Sequence, residues 1–479
     1  MQDEDLGLFI AGQWRHAGGR ERLARLNPAN DQPLGGLWCV TPEDVDDALQ
    51  AARSAFPAWR ARPAVDRATF LHKVAAGIRA KAEDFARTIS TELGNVLPAT
   101  RMEAMVAADV FDWSAGEARR VYGRVIPSRF PDTRQLALKE PIGPVYAACP
   151  WNMPLIFPAR KIAEALAAGC TVVIKTAEET PATAVLLLRV MEEAGLPPGV
   201  VNLVFGQPAM TSRRALASGV IRKVSFTGSV PVGKELARLA ADRLVKCTLE
   251  LGGHAPTIVF DDADVDRTAA LLAERKARVS GQVCNSPTRF YVQRGVYTRF
   301  RDALARAMQG VRVGDPLDPG TQMGPLVNAR RREAIEGFVS DAVEQGAQIA
   351  AGGGRLGRAG QFHALTLLDA VPDSARIMRE EPFGAVAAMQ PFDTLDDVVA
   401  KANALPYGLA AYVFSASQRT LQAMTQRLEV GLLGLNGCNL AASETPFGGV
   451  KESGYGSEGG SEGVEGFLVT KFVSEEAVG

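Results

Sequence analysis

The chain has 479 residues, 53 of them Lys or Arg and 54 Asp or Glu, which gives a formal net charge of −1. At roughly 100–200 residues per domain, this length predicts two to four domains and a core that needs no disulfide or metal support. The balanced charge excludes whole-protein steering toward nucleic acid or an anionic membrane. A content of 47% hydrophobic and 22% charged residues is typical of a globular protein rather than a disordered one.

The cysteines and histidines are too scattered for the common metal or disulfide motifs. The six cysteines form no CxxC pair, and the four histidines form no HExxH motif. Sparse, unpaired cysteines are typical of a reducing compartment. The acidic start at 1–5 differs from the basic start of a secretory signal, and no apolar run approaches the roughly 20 residues of a membrane span. We therefore expect a soluble cytoplasmic protein without a bound metal.

Helical patterns come first in the chain. Thr41 is followed by Pro42 and two acids, which is a typical helix start. Helices are expected at 41–53, 65–93 and 98–120.

Short apolar runs then alternate with helical segments. This alternation predicts a parallel, doubly wound α/β sheet with a ligand in the crevice at the carboxyl ends of its strands. The strands are expected at 143–150, 171–175, 200–205 and 221–226, and the helices at 158–168, 181–194 and 231–241.

A second α/β segment runs from about 251 to 434. Two polar, strand-prone pieces outside these segments, 121–140 and 466–474, could pair with each other. In the second segment, strands are expected at 256–260, 289–293 and 410–414, and helices at 264–279, 297–309 and 329–346.

Two motifs suggest a nucleotide. The stretch 228–235, GSVPVGKE, follows a strand and opens a helix, which suits a phosphate. It departs from the P-loop pattern because Glu235 replaces the hydroxyl residue that binds Mg²⁺. A dinucleotide site is favoured, with an NTPase loop and a ligand-free turn as alternatives. Lys175 and Glu178 end a strand and suit the hydroxyls of a ribose, although a solvated loop pair is an equal alternative.

Three further residues suggest catalysis. Cys284 follows a Gly turn among polar residues, which suits a nucleophile or an isolated structural cysteine. Glu250 lies in an apolar run before Gly-Gly, where burial would raise its pKa and make it a base unless a structural partner holds it. Asn152 is held rigidly between two prolines and suits an oxyanion donor, the alternative being a simple Pro-rich turn.

Eight ordered motifs connect these sites. Together they resemble the NAD(P)-dependent aldehyde dehydrogenase superfamily over essentially the whole chain. The motifs are PWNMP at 150–154, KTAEETP at 175–181, FTGS at 226–229, LELGG at 249–253, GQVC at 281–284, EPFG at 381–384, NALPYGLAAYVF at 403–414 and PFGGVKESGYG at 446–456.

The resemblance implies an α/β fold with a Rossmann-like doubly wound cofactor domain, an α/β catalytic domain and a small β oligomerisation flap. The family habit is a homodimer or homotetramer. Transferred to this chain, the NAD-binding domain comprises 1–120 and 141–250 with part of 435–455, the catalytic domain 251–434, and the flap 121–140 and 456–479.

The resemblance also implies residue roles. Cys284 would attack the aldehyde to give a thiohemiacetal and then a thioester, Asn152 would stabilise the oxyanion, and Glu250 would activate the hydrolytic water. Glu178 favours NAD, since a carboxylate suits two ribose hydroxyls and repels a 2′-phosphate, with NADP also possible. The implied cofactor-binding residues are Trp151, Lys175, Glu178, Gly228, Ser229, Glu381 and Phe383.

Two arginines indicate the substrate class. Arg160 and Arg278 match the positions at which the succinate-semialdehyde dehydrogenase branch binds a substrate carboxylate, and paired guanidiniums suit that group. A carboxylate-bearing semialdehyde such as succinate semialdehyde is therefore expected, although either arginine could instead make a structural ion pair. Three departures from the branch, Asn285, His254 and 441–442 (Ala-Ala), leave an aromatic or medium-chain aldehyde as the alternative.

Two remote alternatives concern the activity itself. A catalytically silent structural family member would have lost catalytic residues, and none is missing here. A P-loop-like NTPase would bind Mg²⁺ and ATP, and Glu235 argues against it.

Overall fold

A computed structural model describes residues 4–476 and contains mixed sheets and helices, which confirms the predicted α/β class. The strands, in chain order, are β1 Leu8–Ile10, β2 Gln13–Arg15, β3 Arg22–Leu26, β4 Pro33–Trp38, β5 Arg124–Ile126, β6 Thr133–Pro141, β7 Val145–Ala148, β8 Val172–Lys175, β9 Val201–Val204, β10 Lys223–Thr227, β11 Lys246–Glu250, β12 Ala255–Val259, β13 Pro287–Gln293, β14 Gln348–Ala351, β15 Thr366–Asp369, β16 Val386–Phe392, β17 Tyr407–Gly408, β18 Ala410–Phe414, β19 Leu432–Leu435, β20 Val450–Lys451, β21 Gly454–Tyr455 and β22 Leu468–Glu476. The helices are α1 Pro42–Ala61, α2 Ala64–Ala80, α3 Ala82–Leu93, α4 Leu97–Ala118, α5 Ile156–Ala168, α6 Pro181–Glu193, α7 Pro208–Ala217, α8 Val230–Ala241, α9 Val265–Ala277, α10 Tyr297–Gln309, α11 Ala329–Glu344, α12 Leu395–Asn403, α13 Gln418–Arg427 and α14 Gly460–Glu465.

Local sequence signals set several helix starts. The Thr41 hydroxyl accepts a hydrogen bond from the backbone N–H of Asp44, whose carboxylate accepts one from the N–H of Thr41. This capping box satisfies N–H groups that the first turn of a helix leaves free, so α1 begins where the sequence predicts. None of the helices within 4–476 combines the length and apolar character needed to cross a bilayer.

The larger sheet has the strand order β2-β1-β9-β8-β7-β10-β11-β21. Its central strands, in the spatial order β9-β8-β7-β10-β11, pair in parallel, and the apolar runs that predicted β7 to β10 are buried. This parallel part begins in the chain at β7, adds β8 and β9 on one side and then places β10 and β11 on the other. The carboxyl ends of β7 and β10 therefore form the topological switch point, where α/β sheets bind ligands.

A second sheet of seven strands follows the order β14-β15-β16-β13-β12-β18-β19 and is parallel except for β14. Its first strand, β12, begins shortly after β11 ends, so the segment joining the two sheets is short. The motif around Glu250 lies at this junction. The two sheets thus meet where the sequence places a candidate base.

A third, antiparallel sheet has the order β22-β6-β5, and β6 pairs with β22 along nine residues of each strand. The pairing expected between the strand-prone pieces is therefore present. The domain boundaries and the role of this sheet in oligomers remain predictions. The outermost residues of those domains, 1–3 and 477–479, lie outside the described part of the chain.

Several elements differ from the sequence prediction. The helical stretch expected at 65–93 is interrupted at Lys81, and the helix expected at 264–279 ends at Ala277. Strands β1 to β4, β11, β15 and β16 had no clear signal, since they are short and several contain Gly or charged residues. Because β11 carries Glu250 at its last position, the missed strand is the one that fixes this candidate base.

Candidate active site

Cys284 lies on a tight loop that follows α9. Residues 278–281 form a 3₁₀ turn in which Val279 and Ser280 have φ of 49° and 54°. These left-handed conformations are costly for residues other than glycine, above all for β-branched valine. The Ser280 hydroxyl holds the loop by donating to the Gly324 carbonyl at 2.8 Å. The sequence thus keeps a strained loop that fixes the backbone leading to the cysteine.

The surroundings of the half-buried Cys284 side chain keep its thiol protonated. Burial, followed by the Glu381 and Glu250 carboxylates, raises the pKa of the thiol to about 12. A Cβ atom on Gly253 would lie 2.6 Å from the Cys284 carbonyl oxygen, so only glycine permits this approach. The Gly-Gly of the LELGG motif therefore serves close packing against the nucleophile loop.

Asn152 lies beside the same loop, just beyond β7. Its Nδ2 donates to the Gln282 carbonyl at 3.0 Å, and its buried Oδ1 has no hydrogen-bond partner. One of the two Nδ2 hydrogens is left over because an amide nitrogen carries two. Asn152 can therefore donate to an oxygen that develops negative charge next to Cys284.

Glu250 is buried, and neither of its carboxylate oxygens has a hydrogen-bond partner among residues 4–476. Burial, with a further contribution from the Glu458 charge, raises its pKa well above the ordinary value. Glycine at 448 leaves room beside this carboxyl, since a Cβ there would lie 3.3 Å from Glu250 Oε1. Glu250 is therefore a desolvated carboxyl that is able to take up a proton.

A buried charged cluster behind Glu250 was missed from the sequence. Lys161 on α5 is fully buried, contacts the Glu458 carboxylate and donates to the Ser225 hydroxyl at 3.2 Å. Glu164, one turn later, accepts from the Gly459 N–H at 2.7 Å. The available signal was a run of charged residues within an otherwise apolar, fully buried helix.

The crevice at the switch point fits a dinucleotide. Lys175 Nζ lies 2.5 Å from Glu178 Oε1, which also accepts from the Gly206 N–H at 2.8 Å. The hydroxyls of Thr176 and Thr227, at the ends of β8 and β10, are buried without a partner. Unsatisfied buried hydroxyls at this edge are ready to bind the polar groups of a ligand.

The start of α8 supplies the phosphate-binding part of this crevice. Ser229 caps α8 with an extended backbone but makes no side-chain capping bond, so the first-turn N–H groups face no side-chain acceptor. A Cβ on Gly228 would lie 2.4 Å from the Phe226 ring, so glycine is required. Lys234 pairs with Glu452 at 2.7 Å, and Glu235 lies 3.7 Å from Arg213. The charged side chains of Lys234 and Glu235 in the stretch 228–235 thus face partners at the surface rather than a nucleotide, which disfavours the NTPase alternative.

Two more of the expected cofactor residues lie near Cys284. Glu381 is half-buried and accepts from the Gly253 N–H at 3.1 Å, and desolvation raises its pKa to about 7. The Phe383 ring meets the Trp151 ring edge-on, with centroids 5.5 Å apart. The expected cofactor residues therefore extend from the switch point to the nucleophile.

The substrate candidates line one cavity of about 120 Å³ together with Cys284. Arg160 is buried and its guanidinium lies over the Phe447 ring at 5.4 Å, whereas Arg278 keeps solvent-exposed surface. Arg275, which the sequence analysis did not single out, lines the same cavity because it lies almost one helical turn before Arg278. None of the three arginines forms an ion pair with a carboxylate of the described residues.

The three departures from the semialdehyde branch now have a structural setting. His254 is buried, with Nδ1 2.7 Å from the Thr288 hydroxyl and Nε2 2.8 Å from the Ile377 carbonyl, and burial lowers its pKa. It is a neutral packing residue. Asn285 and Ala441 both line the cavity, and the buried Asn285 Oδ1 has no partner.

Comparison with known proteins agrees with this geometry. The family model described as the aldehyde dehydrogenase family matches residues 14–473. A putative 4-(hydroxymethyl)benzenesulfonate dehydrogenase of Comamonas testosteroni is 48% identical over 97% of both chains. An NADP(+) succinate-semialdehyde dehydrogenase of Escherichia coli is 38% identical over 99% of both. The crystal structure of a betaine aldehyde dehydrogenase from Staphylococcus aureus in complex with NAD+ superposes with a TM-score of 0.96 at 33% identity, covering 99% of this chain and 98% of the other.

Proposed function

The chain belongs to the aldehyde dehydrogenase family and is an NAD(P)-dependent aldehyde oxidoreductase, and we propose that it oxidises an aldehyde bearing an anionic group to the carboxylic acid. One observation carries the proposal. A single cavity is lined by Cys284 and by three arginines that lack carboxylate partners within the described residues. Uncompensated guanidiniums near a nucleophile favour a substrate with a negative charge away from its reacting carbon.

In the proposed first step, the Cys284 sulfur attacks the aldehyde carbon. The thiol must first lose its proton to solvent, since burial raises its pKa to about 12 and only the thiolate is nucleophilic enough to attack. As the C–S bond forms, the carbonyl electron pair moves onto oxygen. Asn152 Nδ2 then stabilises the oxyanion with its free hydrogen.

The second step releases the acid. NAD, which the residues of the crevice at the switch point would hold, would supply the acceptor for the hydride that the tetrahedral adduct loses on becoming a thioester. Glu250 removes a proton from water, the water oxygen attacks the thioester carbon, and the C–S bond breaks with its electron pair returning to sulfur. The charge of Glu458 raises the pKa of Glu250 and that of Lys161 lowers it, so the buried cluster adjusts the strength of this base.

For the cofactor, we propose a preference for NAD over NADP. Lys175 and Glu178 lie at the carboxyl end of β8, and Glu178 Oε1 already accepts two hydrogen bonds. Its second oxygen suits a ribose hydroxyl, whereas a 2′-phosphate there would meet a like charge.

Two substrates fit the cavity chemistry. Succinate semialdehyde carries a carboxylate that Arg160 and Arg278 would bind. A sulfonated aromatic aldehyde, 4-formylbenzenesulfonate, is the second candidate. It is favoured by the 48% identity to the putative 4-(hydroxymethyl)benzenesulfonate dehydrogenase and by the aromatic rings of Phe157 and Phe447 in the cavity lining.

The test compares kcat/KM for succinate semialdehyde, 4-formylbenzenesulfonate, benzaldehyde, a medium-chain alkanal and betaine aldehyde, each with NAD and NADP. Arg160→Leu should raise KM for the anionic aldehydes by about 10–100-fold, the range expected for losing a hydrogen bond to a charged group, and change KM for benzaldehyde little. Equal losses on charged and uncharged aldehydes would contradict anion recognition. Full NADH production by Cys284→Ala would contradict the assigned nucleophile.

For assembly, we propose that copies of the chain associate through the third sheet, β22-β6-β5. Its two outer strands have free edges, and the side chains of Val125, Leu138 and Phe472 are exposed on it. An exposed apolar sheet favours burial against another copy.

A further inference from the structure

Arg275 lies beside the nucleophile loop. It belongs to the last turn of α9 and lines the same cavity as Cys284 and Asn285. Burial raises the pKa of the Tyr412 hydroxyl to about 12, and the charge of Arg275 opposes that rise. The Tyr412 hydroxyl donates to the Asn285 carbonyl at 2.6 Å, and Asn285 follows Cys284 directly. A guanidinium has five N–H donors, so several remain for a ligand in the cavity.

Arg275 also adds a third positive charge where the groups on the facing elements compensate little. Desolvation and then the like charge of Arg275 lower the pKa of Arg278, so the two cations repel each other. The acid that acts on Arg278 is Glu103 of α4, whose carboxyl bonds the N–H groups of α5 and whose pKa burial raises to about 7.

The remaining cation, Arg160, faces Glu250 and Glu164. Burial raises the pKa of both carboxyls, that of Glu164 to about 8, which weakens their compensation of Arg160. Three cations that line one cavity with weak compensation favour an anionic ligand.

The number of donors distinguishes the two common anionic groups. A carboxylate offers two oxygens in one plane, which one or two guanidiniums satisfy. A sulfonate offers three equivalent oxygens arranged around a tetrahedral sulfur, so its third oxygen points out of the plane of the first two. Resting on the proposed function, we propose that Arg275 is the specificity-determining residue that binds this third oxygen and makes the site select aldehydes with a sulfonate over those with a carboxylate.

The 48% identity to a putative 4-(hydroxymethyl)benzenesulfonate dehydrogenase, whose name includes a sulfonate, agrees with this assignment. The cavity walls supply the rest of the recognition, because Met153, Phe157 and Phe447 provide apolar surface for the body of the substrate between the aldehyde and the anion.

The experiment uses a matched pair, 4-formylbenzenesulfonate and 4-formylbenzoate, which differ only in the anion, with benzaldehyde as the uncharged reference. The wild type should prefer the sulfonate in kcat/KM. Arg275→Leu should lower kcat/KM for the sulfonate by about 10–100-fold, and lower that for the carboxylate and for benzaldehyde by less than about 3-fold each. Arg275→Lys keeps the charge but loses the planar fork, and should fall between the two.

A matched control and a second readout accompany the kinetics. Arg299→Leu removes an exposed arginine of α10 that pairs with Asp266, and should leave all three aldehydes unaffected. Competitive inhibition by benzenesulfonate should weaken in both Arg275 variants more than inhibition by benzoate.

The outcomes separate the inference from the function on which it rests. Equal losses for both anions in Arg275→Leu, or no loss for either, would overturn the role of Arg275. A wild type that turns over benzaldehyde but favours neither anion would overturn anion recognition itself. Absence of turnover with every aldehyde would overturn the proposed function. If Arg275→Leu fails to fold, judged by benzaldehyde turnover, Arg275→Lys decides between these outcomes.

Discussion

At the residue scale, the two chemical demands on Glu250 pull its pKa in opposite directions. The carboxyl must be neutral enough to exist without a hydrogen-bond partner, and it must become a carboxylate to activate water. Burial together with Glu458 raises its pKa, while the charges of Lys161 and Arg160 lower it. The balance leaves a base whose pKa lies above the ordinary value, so its ionised fraction grows as pH rises above the usual range of a carboxyl.

This balance predicts the behaviour of Glu250→Gln. The first turnover should release a burst of NADH near one per active site, because thioester formation precedes the step that needs the base. Steady-state turnover should then fall by about 100-fold or more, the usual contribution of a general base. In the wild type the steady-state rate should rise with pH, since a raised pKa leaves the carboxyl protonated at lower pH, and the variant should lose this rise. Stopped-flow absorbance of NADH measures both phases.

Glu92→Gln is the matched control for this prediction. Glu92 is also buried with a pKa raised to about 7, but it bonds the N–H groups of Ala182 and Thr183 at the start of α6. Its loss should lower stability and leave the ratio of burst to steady-state rate unchanged. If Glu250→Gln showed neither a burst nor a lower steady-state rate, another group would be the base.

Sequence patterns identified candidate site residues where glycine or proline flanks a reactive side chain. Cys284 after Gly281, Glu250 before Gly252, and Asn152 between prolines were all found this way, and the structure shows the close approaches that these glycines permit. Arg275 and Lys161 were missed. Each occupies a helix, where a charged residue is ordinarily a solvated surface group, and only the fold shows which face is turned inward.

At the element scale, the strained loop from 278 to 284 holds Cys284 in a defined position. Three successive residues of this loop have positive φ, and a Cβ on Gly281 would lie 2.1 Å from the Gly384 carbonyl oxygen. Gly281→Ala should therefore displace the loop from the second sheet and move Cys284 away from Asn152. We expect a loss of about 100-fold or more in kcat together with lower stability, measured by steady-state kinetics and thermal unfolding.

Gly346→Ala provides the matched control for this loop. Gly346 also has a positive φ of 102°, but nothing lies within 4 Å of a Cβ there. This variant should cost only about 1 kcal/mol of backbone strain and keep its activity. Equal effects of the two substitutions would show that φ alone matters and that contact with Gly384 does not position the nucleophile.

Helices and strands were predictable from the sequence where one clear local pattern, such as an apolar run or a helix cap, marked the segment. The buried parallel strands β7 to β10 and the capped helix α1 matched their patterns because burial on both faces, or a capping box, leaves a clear local signal. The strand β11, with the sequence KCTLE, gave no such signal because its exposed first residue and its terminal acid break the apolar run. Its place is set by pairing with β10, a contact distant in sequence.

At the scale of the whole molecule, the third sheet has an apolar face that the two larger sheets leave exposed. Leu138 and Val125 lie on the same face, because Val125 pairs with Leu136 and Leu138 lies two residues further along β6. Both are exposed, Val125 at 68% and Leu138 at 38%.

If this face joins copies of the chain, Leu138→Glu should place an unpaired charge in the interface and shift the assembly toward monomers, measured by size-exclusion chromatography with light scattering. Leu244→Glu changes a leucine that is 90% exposed between α8 and β11, away from this sheet, and should leave the mass unchanged. A wild type that is monomeric, or a Leu138→Glu variant that keeps the wild-type mass, would assign the face another role.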